Sequence, residues 1–75
     1  MKKQFEITLF LTRKDEDNNQ ITYTYITEVG AMYGADYIAQ SLKDRQFITY
    51  HHKTGKGRTL INVDHISEIS IMPVE

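Results

Sequence analysis

The chain has 75 residues, a formal net charge of −1 and no cysteine. That length holds one domain, which buries only about 60% of its unfolded surface. Without cysteine, disulfides, thiolate metal ligands and a cysteine nucleophile are excluded, which leaves self-association as the expected supplement to a small core. A charge so close to zero exerts no global pull toward nucleic acid or membrane, so either case must rest on local clustering.

The apolar runs are too short to span a bilayer, so no membrane partner is expected. In MKKQFEITLF, Glu6 and alternating polar residues interrupt the apolar stretch that a secretory signal needs, and the expectation is a cytoplasmic protein. The same decapeptide opens a half-buried strand over residues 3–12. Phe5, Ile7, Leu9 and Leu11 share one face, and Glu6, Thr8, Phe10 and Thr12 the other. Residues 13–20, RKDEDNNQ, lack apolar side chains and read as a solvated hairpin loop. Asp15, Asp17 and Asn19 match the first ligand positions of an EF-hand calcium loop. Gln20 and Ile26, however, fall where that motif requires glycine and a bidentate glutamate.

QITYTYITE, residues 20–28, is rich in β-branched and aromatic types and predicts a second strand, antiparallel to the first. Its faces are Ile21, Tyr23 and Tyr25 against Thr22, Thr24 and Ile26. From Gly30 to Asp44 the period changes to helical, with Ala31, Ala35, Ile38 and Leu42 on one stripe and Met32 and Ala39 beside it. Gly30 and Gly34 belong to a loose entry, with regular helix from about Ala35. Residues 46–51 and 58–63 predict a third and fourth strand, Asp64-His65 a tight turn, and residues 67–72 a fifth strand stopped by Pro73. The fold class is α+β, a single domain in the order ββαβββ, with one helix packed on one face of an antiparallel sheet.

One helix cannot cover both faces of five strands. The uncovered face would carry Phe10, Ile26 and, from the third strand, Ile48, with Phe47 as its alternate. A homodimer through that face, or a sheet curled into a partial barrel, would resolve the exposure.

The segment YHHKTGKGR, residues 50–58, holds the candidate chemistry. His51 and His52 point to opposite faces of a strand and cannot share an ion without a bulge, so a metal site would have to recruit His65 or Asp64. Asp64, His65 and Ser67 lie too close in sequence for a catalytic relay, and Glu28 and Asp36 do not define a glycosidase pair. The glycines of Thr54-Gly55-Lys56-Gly57 lie between strands with no helix following, so they serve a hairpin and its bulge rather than a phosphate-binding loop. No cofactor or catalytic activity is expected.

Five cations between positions 43 and 58 (Lys43, Arg45, Lys53, Lys56 and Arg58) face a single acid, Asp44. With Tyr50, His51 and His52 interleaved as aromatic faces, this segment would suit nucleic acid or another acidic partner. The bland alternative is a solubilising hairpin tip. The five tyrosines (Tyr23, Tyr25, Tyr33, Tyr37 and Tyr50) suit contact with a protein partner. The expectation is therefore a small regulatory module acting through protein–protein interaction as a homodimer, with nucleic-acid binding as the alternative. Residues 60–69, LINVDHISEI, are similar to the second signature of bacterial Sm-like RNA chaperones. Asp64 stands where that family has a basic residue, and two strands precede the helix here, so no binding role is carried over.

Overall fold

Alternation along the first strand sets the architecture. In the computed structural model, which describes residues 2–52 and 54–74, β1 runs from Lys2 to Lys14. Phe5, Ile7, Leu9 and Leu11 point one way and are buried, Ile7 and Leu9 with no exposed surface. β2 (Gln20–Gly30) and β5 (Ile66–Val74) both pair antiparallel with β1, giving a three-stranded sheet in the order β2-β1-β5. Ile7 lies opposite Tyr25 and Ile71, and Leu9 opposite Tyr23 and Ile69, so the inner face is apolar or aromatic across all three strands.

Two covers lie on that face. Helix α1 (Ala35–Lys43) contributes Ile38 and Leu42, and the hairpin of β3 (Phe47–His51) and β4 (Arg58–Asn62) contributes Ile48 and Ile61. These four join the β1 residues in one core cluster. The expected α+β class and ββαβββ order are present, but the strands divide between a three-stranded and a two-stranded sheet. A four-residue apolar face needs more cover than one short helix supplies, and the hairpin supplies it.

That arrangement corrects the expectation for Ile48, which is 3% exposed. It pairs with Ile61 on the inner face of the hairpin and is a core residue, whereas Phe47 turns outward. The helix is also shorter than its periodic stripe. Ala31 and Ala35 are exposed, and Met32 is 84% exposed. Gly34 occupies the N-cap in extended geometry (φ −130°, ψ −166°) and has no side chain with which to cap the first turn. Pro73 does not stop the last strand. It lies within β5, opposite Phe5, and β5 is an edge strand, where a residue lacking an N–H is tolerated.

Irregular backbone is repaired locally. The register of β1 shifts between Phe10 and Leu11 on the β5 side and between Phe10 and Lys14 on the β2 side. There the Ser67 hydroxyl donates to the Phe10 carbonyl (3.0 Å), and Gln20 Nε2 donates to the Leu11 carbonyl (3.0 Å). In the acidic loop, Asp15 Oδ1 accepts from the amides of Asp17 and Asn19, both at 2.9 Å, while Asn18 takes φ 65°. The first acid of the calcium-like pattern is thus used to close its own turn. A turn of 3-10 helix at Val63–His65 then leads into β5, capped by the Asn62 side chain, which accepts from the Asp64 amide at 2.9 Å.

Two stability measurements check this account. Leu9→Ala, at the centre of the covered face, should lower the unfolding free energy by about 2–5 kcal/mol in urea denaturation. Gly34→Ser should raise it by a few tenths to about 1 kcal/mol, because a Cβ at position 34 meets nothing within 4 Å and the hydroxyl can cap the helix.

Candidate binding surfaces

The glycines of the hairpin tip have geometric work. Gly55 sits at φ +154°, a conformation side-chain-bearing residues rarely adopt, and its amide donates to the His52 carbonyl at 3.4 Å. The His52 amide donates to the Gly57 carbonyl at 3.1 Å. A Cβ at Gly57 would approach the His52 ring to 3.2 Å, so glycine there lets the imidazole lie against the returning strand.

His52 is held as part of the scaffold. Its Nε2 lies 2.7 Å from the Thr59 hydroxyl, and its ring meets Tyr50 edge-on at 5.5 Å. Tyr50 in turn packs on Tyr23 with ring centroids 5.0 Å apart, tying the hairpin to β2. His51 points elsewhere and pairs across the hairpin with Arg58. Among the described residues, no three histidine, aspartate or glutamate side chains gather as metal ligands.

The basic segment does not form one surface. Lys43 lies on the side of α1 that faces β5, beside Ala39 and Val63. Lys56 is exposed at the hairpin tip, and Lys53 lies outside the described residues. Arg45, His51 and Arg58, by contrast, converge on a cleft of about 430 Å³ between β2, α1 and β3. Its floor is apolar and buried, formed by Ile38, Leu42 and Ile48. Tyr25 and Thr27 from β2, and Tyr37 and Ser41 from α1, also line it, and no acid among the described residues does. Asp44, the acid next to Arg45 in sequence, accepts instead from Gln40 Nε2 at 3.3 and 3.4 Å. A narrower gap adjoins the cleft, lined by consecutive residues Thr24–Ile26 of β2 and Thr49–His51 of β3. Consecutive lining residues mark strand edges rather than faces.

Tyr25 shows the character of this cleft. Burial raises its phenol above the ordinary value of 10.0, and the nearby Arg45 guanidinium pulls it partly back. Tyr37 stacks on Tyr33 with centroids 4.2 Å apart and is still 49% exposed, leaving part of its ring available.

A second surface lies on the opposite side, the uncovered face of the three-stranded sheet. Glu6 sits between Ile26 and Met72, which are 52% and 57% exposed. Thr8 lies between Thr24 and Ser70, and Phe10, half-buried, between Thr22 and Glu68. Of the residues expected on a dimer face, Phe10 and Ile26 are here and Ile48 is not. Met72 and Val74 are here as well. The alternation Ser70, Met72, Val74 carries their signal: Met72 falls within the expected fifth strand, and Val74 is lost when Pro73 is read as a stop. Tyr25, Tyr37 and Ser41 were not legible as a site, because β2 and α1, two elements with different periods, bring them to one cleft.

Alkaline titration tests the Tyr25 environment. The folded chain keeps this proton above pH 10.0, where the unfolded chain loses it, so its contribution to stability is intact below pH 10.0 and falls as pH rises through the folded value. Tyr25→Phe should remove one phenolate transition above pH 10.0 from the absorbance titration and flatten the alkaline loss of stability. Arg45→Gln should move that transition further up, because it removes the lowering charge. In comparisons with known proteins, no family model matches the chain, and no curated protein or solved structure is significantly similar to it.

Proposed function

We propose that this chain is a small non-catalytic binding and regulatory module that acts through protein–protein contact, associating with itself as a homodimer through the uncovered face of its three-stranded sheet. The observation that carries this reading is the row Ile26–Glu6–Met72, in which two large apolar side chains stand more than half exposed on either side of the central strand. Covering them would add apolar burial to a domain whose core has eight buried residues among those described.

The same face fixes the electrostatic signature of the dimer. Glu6, Glu28 and Glu68 lie on it, on neighbouring strands, against one cation among the described residues, Lys2. Two copies meeting there bring like charges together, and salt screens that repulsion. Association should therefore tighten as ionic strength rises. Sedimentation of the full chain measures this directly, with Ile26→Glu expected to give a folded monomer. A wild-type chain that stays monomeric at every attainable concentration and salt would remove the reading.

The alternative is nucleic-acid binding through the basic segment, favoured by the convergence of Arg45, His51 and Arg58 on one cleft. Its salt dependence has the opposite sign, because neutralising phosphates releases counterions and binding weakens as salt rises. Lys43 and Lys56 lie away from that cleft and would contribute separately.

A further inference from the structure

We propose that the cleft between β2, α1 and β3 is a binding site for a small organic oxyanion, a carboxylate or phosphate carried on an apolar body. The cleft lies apart from the uncovered sheet face, so this inference stands or falls independently of the homodimer.

Three features point to that ligand. First, the charge is unbalanced: Arg45 and Arg58 both border the cleft, with no acid among the described lining residues, on a chain whose total charge is −1. Arginine presents a planar fork of donors suited to carboxylate and phosphate, and a concave site concentrates the field of two such groups. Second, the cleft holds open apolar surface, on the half-buried Val29 and the Tyr37 ring beside the buried Ile38, Leu42 and Ile48, which an attached hydrocarbon body would cover and a bare ion would not. Third, the dimensions fit. A volume of about 430 Å³ lies in the range of small-ligand pockets, roughly 300–1,000 Å³, and is small for a stretch of polymer.

The division of labour follows from position. Arg45, at the end of the helix, and Arg58, at the start of β4, would take the oxyanion from two sides. The exposed part of the Tyr37 ring would rest against the ligand body, its other side being supported by Tyr33. Tyr25, which lines the same cleft, carries a phenol proton that it could donate to the anion.

The test is a titration of the isotope-labelled full chain, followed by NMR, with phenyl phosphate, benzoate, inorganic phosphate and neutral phenol. Expected are shifts of the Arg45 and Arg58 side-chain resonances together with the Ile38, Leu42 and Ile48 methyls for an aryl anion. Whichever of phenyl phosphate and benzoate binds more tightly identifies the charged group. Inorganic phosphate should move the arginines weakly and the methyls not at all. The double variant Arg45→Gln/Arg58→Gln, at two exposed positions, should weaken aryl-anion binding about tenfold or more. Lys56→Gln, at the hairpin tip, should leave it unchanged. The proposal is overturned if phenol binds as well as the anions, if Lys56→Gln weakens binding as much as the double variant, or if none of the probes shifts these residues. An oligothymidylate that shifts the arginines while the aryl anions do not would replace it with the nucleic-acid reading.

Discussion

Everything in this fold rests on the inner face of β1. Phe5, Ile7, Leu9 and Leu11 are buried in succession, and the helix and the hairpin reach the core by packing against them. Burying one large aliphatic side chain is worth about 1.5–3 kcal/mol, so these four hold a large share of what a domain this small can gain. The outer face of the same strand receives no helix or hairpin cover from the described residues. One side of β1 therefore builds the molecule, and the other stays open.

The two candidate surfaces follow from how that inner face is covered. A nine-residue helix burying only Ile38 and Leu42 leaves room for a second lid, and the β3–β4 hairpin fills it through Ile48 and Ile61. The two lids do not meet edge to edge with β2. The Tyr23–Tyr50 contact pins the hairpin to the sheet, and the cleft opens between β2, α1 and β3. A cleft at the junction of three elements is a natural place for a ligand, because its walls can be polar while its floor belongs to the core.

Much of this was legible in the sequence where the physics is local. Period-2 alternation located β1 and β2, the shift to helical spacing located α1, and Gly55 and Gly57 marked a hairpin by the backbone they permit. What failed was non-local. Whether Ile48 or Phe47 faces the core depends on which side of the hairpin meets β1, and nothing within residues 46–51 decides that. Pro73 is a strand breaker only where its missing N–H would be needed, and its place on an edge strand is a property of the whole sheet. The basic segment was visible as composition, but its described cations divide among the cleft, the α1–β5 groove and the hairpin tip according to tertiary packing.

The pairing of β1 bears on how the chain acquires its structure as it is made. Leu9 contacts Tyr23 across a short hairpin, so β1 and β2 can zip together early. Its other neighbour, Ile69, is synthesised only after the helix and the second hairpin. Until then one edge of the central strand stands open beside a row of large apolar side chains, the kind of template on which nascent chains mispair with one another. The closing strand carries Ser67, whose hydroxyl bonds to the Phe10 carbonyl where the register shifts. That bond gives the late-arriving strand a fixed point of alignment at the place where regular pairing is interrupted.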